Sequence, residues 1–284
     1  MLTIKRLGLH HVIKLTWKID LAMLSLCSIT YLIDVYLIPH FIMPLAFPAL
    51  MGTVMAFFIG FTNSQAYERW WEARKIWGNL VNNSRTWARS LLAYSKDQEL
   101  AKIMIHRHIA FLYALIESLR NEKPNNSLKH LSNLDQIKIN LEHHLPNAIL
   151  NLQAFDLAQL HTNTQIDNFS YLGLNDTLQR ICDDMGKSER INNTPFPVTY
   201  LYFSELFIWL FIAFITMATS NFVGLASILL GWVMGFVFNV IHLNGMSLMK
   251  PFVNSPSGVP ISKIAQDIKI NLFQAMGENI VADN

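Results

Sequence analysis

The residues best placed to do chemistry here form two stripes at four-residue spacing. Thr53, Phe57 and Phe61 make one, and Gly52, Ala56 and Gly60 make the other beside it. On a helix each set shares a face. Aromatic rings repeated around a symmetry axis form a hydrophobic constriction that gates ions by dewetting. Small residues every four positions let a second backbone approach closely. The same spacing also serves two packing stripes within one chain, and periodicity does not choose between these readings.

Other reactive side chains point less far. His106 and His108 are two apart and fall on different helical faces. His143 and His144 are adjacent and make a poor ligand pair, so no metal is expected. Asp34 inside lipid would be a functional carboxylate, but Pro39 and His40 close behind it point to an interfacial position. Glu68, Arg69, Glu72, Arg74 and Lys75 offer salt bridges at i,i+3 and i,i+4 on a solvated or subunit-contact face. Glycine-rich phosphate loops, Walker patterns and GxSxG elbows are absent. No feature argues for an enzyme. A membrane enzyme would have only those four histidines as raw material, and a non-conducting scaffold or sensor is a third reading.

The elements that carry the stripes follow from composition. Of 284 residues, 52% are hydrophobic and only 15% charged, well below the roughly 25% typical of soluble domains. A net charge of +2 is too small to indicate nucleic acid. Cys27 and Cys182 make no zinc or CxxC spacing and read as buried thiols. No small-residue cleavage pattern follows the first apolar run, which reads as a retained span.

Residues 1–18 form a basic, amphipathic lead-in with Trp17 as an interfacial anchor. Residues 19–38 make the first span. No charge occurs from Val35 to Tyr67, and after Pro48 no proline interrupts the chain until well past Tyr94. The second span therefore continues as one helix through AYERWWEARKIWGNL to about Tyr94, roughly twice the thickness of a bilayer core. Residues 95–197 read as a cytoplasmic helical region. AKIMIHRHIAFLYALIESLRN, at 101–121, has apolar residues at helical spacing and ends at a break over Lys123-Pro124-Asn125-Asn126-Ser127. Further segments lie near 131–141, 146–160 and 169–185, and there is no strand alternation. Residues 198–249 hold two further spans, divided near Thr219–Gly224. Residues 250–284 are a Pro/Gly/Ser-rich piece followed by a short amphipathic helix. Residues 1–94 thus comprise the lead-in, the first two spans and the cytoplasmic extension of the second. Lys and Arg flank the spans at Lys5, Arg6, Lys14, Lys18, Arg69, Arg74 and Lys250, which places both termini, and the chain from residue 68 to the third span, on the cytoplasmic side of a plasma (bacterial inner) membrane. The fold class is an all-α integral membrane protein with four spans.

Three segments together resemble the bestrophin family in its bacterial form. They are Met51–Leu80, Thr194-Pro195-Phe196-Pro197-Val198-Thr199-Tyr200, and Lys250-Pro251-Phe252 with Asp267-Ile268-Lys269-Ile270-Asn271-Leu272. The resemblance covers essentially the whole chain. It implies a homopentameric channel for small monovalent ions, with the second helix lining a central neck. On that resemblance Thr53, Phe57 and Phe61 fall on neck positions, and Phe169, or Ile166 if a small gap intervenes, on a cytoplasmic aperture. Animal relatives pass chloride and other anions, while bacterial ones can favour monovalent cations. Animal members follow Asn-Pro-Phe with an acidic run that clasps calcium. Here Val253, Asn254, Ser255 and Pro256 follow Phe252, so no calcium or other cofactor is expected. Thr53 stands where the family usually has an aliphatic residue, which makes the outer ring more hydratable.

Overall fold

The computed structural model describes residues 9–139 and 143–278, with side chains from residue 13 onward. The first eight residues of the basic lead-in, with Lys5 and Arg6, lie outside the described residues, as do residues 140–142 and the end of the chain. The described residues hold helices and no strand: α1 (Leu9–Leu32), α2 (Ala46–Tyr94), α3 (Gln98–Leu119), α4 (Asn133–Ile139), α5 (Leu145–Thr162), α6 (Asn168–Asn193), α7 (Val198–Val223), α8 (Ala226–Leu248) and α9 (Ile261–Met276). Four described helical stretches are long and apolar enough to cross a membrane: Ile13–Leu37, α2, α7 and α8.

The chain divides into two compact units. One holds residues up to Glu68 and Phe196–Met249; the other holds Arg69–Pro195 and the segment from Lys250. The division falls within α2, whose 49 residues run about 74 Å at helical rise.

In the apolar unit α1, α7 and α8 pack closely on one another. α1 starts at Leu9, so the lead-in from there onward belongs to the same helix as the first span. It ends in a π-helical turn, Ile33–Leu37. α7 ends at Val223 and α8 starts at Ala226, with Gly224 between them at a φ of 57°, where the αL region favours glycine. A stripe of small and polar residues on α8, which the sequence reading overlooked, makes the close packing possible. Ser227, Gly231, Gly235 and Asn239 recur every four residues, all buried. A Cβ on Gly235 would stand 2.5 Å from Ile212 Cδ1, and one on Gly231 would press on Thr216 and sit 3.1 Å from Cys27 Sγ. Hydroxyls inside these helices donate to the carbonyl one turn back, as Thr216 does to Ile212 (2.8 Å) and Ser204 to Tyr200 (2.7 Å). That satisfies them where no water competes.

Asp34 is buried at 3% exposure in the π-helical turn near the end of the first span, and Ser220 of α7 donates to its carboxylate. Cys27 is buried, whereas Cys182 is exposed, contrary to the expectation of two buried thiols. Cys182 lies on α6, where neighbouring positions alternate between the packed and open faces of an amphipathic helix.

The second unit is organised around α3, which is buried along most of its length against α5, α6 and α9. Trp77, Trp87, Phe111 and Phe252 fill its core. Arg107 of α3 gives a bidentate pair to Asp135 (2.8 Å from both Nε and Nη2) and reaches Asp156 as well. Glu117 accepts from the backbone N–H groups of Asn125 and Asn126 and from the Ser127 hydroxyl (2.5 Å), which closes the loop at the Lys123-Pro124 break. Asp97, His144 and Asp167 cap α3, α5 and α6.

His108 sits wholly buried on α3 with Nε2 2.8 Å from Ser84 Oγ. The Ser84 hydroxyl donates to the Leu80 carbonyl at 2.5 Å, so the proton between the two side chains belongs to His108 Nε2, and Nδ1 faces no partner. Burial pushes the imidazole pKa down from 6.5 to about 3.

Two measurements follow. Gly235→Ala forces Ile212 aside and lowers stability by about 1–3 kcal/mol, read as a fall in the thermal unfolding midpoint in detergent. Because the folded pKa of His108 lies below 6.5, the unfolded chain takes up the proton first. The contribution is complete above pH 6.5 and is lost as pH falls toward about 3. His108→Gln removes that share of the acid dependence, about tenfold in the folding equilibrium per pH unit, in unfolding titrations between those limits.

Candidate functional site: the exposed face of α2 and the ends of α6

α2 is held in the apolar unit through side chains. Met55, Ile59, Thr62 and Ala66 form its buried stripe. Met55 and Ile59 join Ile208, Phe211 and Ile212 of α7, with Met23 and Cys27 of α1, in one cluster. Phe47 meets Phe214 edge-on at 5.1 Å, and Phe58 stacks on Tyr200 at 5.7 Å. At 100° per residue, Phe57 falls diametrically opposite the midpoint of Met55 and Ile59, with Thr53 and Phe61 about 40° to either side. The structure agrees: Phe57 is 75% exposed and Phe61 48%, and Thr53 is exposed as well. Thr53 donates its hydroxyl to the Ala49 carbonyl at 3.0 Å, so its oxygen retains only acceptor capacity toward a pore or a neighbour.

Gly52, Ala56 and Gly60 lie between the two faces. Gly52 packs under the Phe211 ring, where a Cβ would come within 3.0 Å, whereas Ala56 is exposed and Gly60 has no neighbour within 4 Å. Within one chain only the first of the three serves close packing.

The charged end of this motif adds tertiary contacts to the local attraction between Arg69 and Glu72 that its spacing suggested. In the second unit, Arg69 donates to the Ile191 carbonyl and Glu72 pairs with Arg190 at 2.8 Å, both on the last turns of α6. The far end of α6, about 31 Å away at helical rise, carries Phe169. Asp167 caps it by accepting from Phe169 N (2.8 Å), Ser170 N (3.0 Å) and Ser170 Oγ (2.6 Å). The Ser170 hydroxyl bond, then its N–H, holds the Asp167 pKa below the usual carboxylate range. Phe169 projects at 87% exposure, while Ile166 is buried at 4% in the core of the unit. Of the two residues the sequence offered for this position, only Phe169 presents its side chain outward.

The histidines divide as their spacing implied. His108 is buried, and His106 meets Glu278 at 3.0 Å. His144 pairs with Glu189 at 2.8 Å while its Nδ1 caps α5. Among the described residues no three His, Cys, Asp or Glu side chains gather as a metal site. In the third motif, Phe252 is buried in the core and its carbonyl accepts from Arg120 at 3.1 Å. The loop after it closes through Val259 N to the Pro251 carbonyl at 2.7 Å.

A chain whose described residues form helices and no strand, four of them span-length and apolar and the longest exposing an aromatic stripe, is a membrane protein. Residues 10–274 match the family model described as bacterial/fungal bestrophin protein, and the chain belongs to that family. It is 27% identical over 231 residues to the voltage-dependent anion channel-forming protein YneE of Escherichia coli, covering 81% of this chain and 76% of the relative. It is 25% identical over 266 residues to the voltage-dependent anion channel-forming protein alr2987 of Nostoc sp., covering 87% and 84%. A crystal structure of a bacterial bestrophin homologue from Klebsiella pneumoniae superposes with a TM-score of 0.86 at 22% identity, over 94% of this chain and all of that one.

Proposed function

We propose that this chain is one subunit of an anion channel in the plasma (inner) membrane of a bacterium, assembled as a homopentamer with five copies of α2 around the pore. The observation that carries this reading is the α2 face bearing Thr53, Phe57 and Phe61. Its two phenylalanines are exposed on the side of the helix opposite its packing stripe, in a chain whose relatives are named anion channel-forming proteins. Repeated around an axis, the three residues become successive rings of a neck. The phenylalanine rings form its dewetting barrier, and Thr53 eases hydration above them. The positive edges of the rings can face a passing anion. Exposed Arg74, Lys75, Arg85 and Arg89 further along α2 favour anions on the cytoplasmic side. Phe169 forms a second ring at the cytoplasmic aperture, and Ile166 supports it from the core. The remaining exposed apolar side chains of α1, α7 and α8 face lipid or the neighbouring subunit. Both termini are cytoplasmic. The loop after Phe252 carries no carboxylate, and the channel opens without calcium.

Three experiments test this. In planar bilayers under a salt gradient, the purified protein gives currents reversing near the chloride equilibrium potential. Reversal near the cation potential would refute anion selectivity, and silence from a confirmed pentamer would refute the channel reading. Phe57→Ala, by shrinking the barrier, raises current per channel or open probability; an unchanged current would remove Phe57 from the gate. In a Cys182→Ser background, a charged water-soluble thiol reagent modifies Phe57→Cys in membranes and leaves Met55→Cys untouched. Equal protection of both would place the stripe against lipid or protein.

A further inference from the structure

We propose that Asn63 is the positioning residue of the pore helix: its amide, seated on the backbone of α8 at Gly245, sets the rotation of α2 and with it the aim of Phe61 and Phe57. This rests on the channel reading above. Asn63 Nδ2 donates to the Ile241 carbonyl at 3.1 Å, across 178 residues of sequence. That carbonyl is also the helical acceptor for the N–H of residue 245, so the amide docks on an acceptor the helix already uses and leaves α8 unbroken. Gly245 is what lets it in. A Cβ at 245 would lie 2.9 Å from Asn63 Cγ and closer still to Oδ1. The Oδ1 atom therefore rests against the bare glycine while Nδ2 reaches the carbonyl, and the amide is fixed at both ends.

The geometry gives this contact leverage. Asn63 lies two residues beyond Phe61, about 200° around α2, so the side facing α8 and the side bearing Phe61 are nearly opposite. Phe57 is about 9 Å from Asn63 along the axis. The close backbone pairings of this unit join α1, α7 and α8. α2 is held by flexible apolar side chains such as Met55, Ile59 and Phe58, which tolerate sliding. A side-chain amide on a carbonyl is directional and does not. Turning α2 far enough to swing Phe61 must lift the amide off Gly245. Hydrogen bonds between membrane helices are individually modest, so this one can break and reform as the pore changes state. Asn63 and Gly245 then mark one state of the helix rather than welding it.

The test is a double-substitution cycle on the full-length channel in bilayers. Gly245→Ala expels the amide and changes open probability by about fivefold or more, and Asn63→Ala produces a change of its own. If the two act through one contact, Asn63→Ala with Gly245→Ala behaves like Asn63→Ala alone, within about twofold. Thermal midpoints measured in parallel separate gating from folding, because a merely structural role lowers the midpoints and leaves the open probability of the folded channel unaltered. A conducting wild type whose open probability is unchanged by both substitutions, or whose double variant shows the product of two independent effects, overturns the positioning role. A wild type that forms pentamers without conducting overturns the channel reading instead.

Discussion

Everything distinctive in this chain depends on α2 remaining one unbroken helix from Ala46 to Tyr94. A helix of that length satisfies its backbone groups internally wherever it runs, in hydrocarbon or in water, and so needs no change of structure between the two. Pro48 falls in its first turn, where the missing N–H costs nothing. Its buried residues keep a helical register through both units: Met55, Ile59, Thr62 and Ala66 in one, Ala73, Ile76, Trp77, Leu80, Ser84, Trp87 and Leu91 in the other. Because that register is kept, the opposite face is free along the same length.

The partners of α2 follow a division between apolar and polar contacts. In the apolar unit the bundle of α1, α7 and α8 achieves its own tight packing through Ser227, Gly231 and Gly235, and α2 lies on it through large side chains. In the other unit charge does more. Arg107 ties two acidic side chains to the central helix, Glu117 closes a loop, and Arg69 with Glu72 fastens the end of α6. Arg107 is buried with its carboxylates in place around it. Such a group is costly to strip of either partner, so the network ties α3 to the segments bearing Asp135 and Asp156. α6 is thereby anchored at one end and presents Phe169 at the other.

Much of this was legible from residue order alone. The four spans, the length of α2, the turn at Gly224 and the helical segments between Gln98 and Asn193 are all written in local periodicity, in charge gaps and in proline or glycine positions. The three motifs identified the family. The stripe of Thr53, Phe57 and Phe61 was visible too, as was its ambiguity. The partners of those faces were less so. Gly52, Ala56 and Gly60 share a face by spacing, and within one chain Gly52 packs closely, while Ser227, Gly231 and Gly235 form a second small-residue stripe, buried on α8, with the same spacing. Arg69 and Glu72 attract each other as their spacing suggested, and each also has a partner more than a hundred residues away. Cys182 looked buried and is exposed. In each case spacing defines a face, and the partner of that face lies elsewhere in the chain.

The sequence by itself determined that this chain forms long apolar helices, where each one turns, and which residues share a stripe, because these depend on hydrophobicity and backbone geometry over a few turns. Only the tertiary structure decided which stripe is covered. It placed Met55 and Ile59 against α7 and so left Phe57 open, turned Phe169 outward and Ile166 inward, and brought Asn63 onto Gly245. Those outcomes depend on shape complementarity between segments up to 178 residues apart, and no local pattern encodes which of several similar faces will meet.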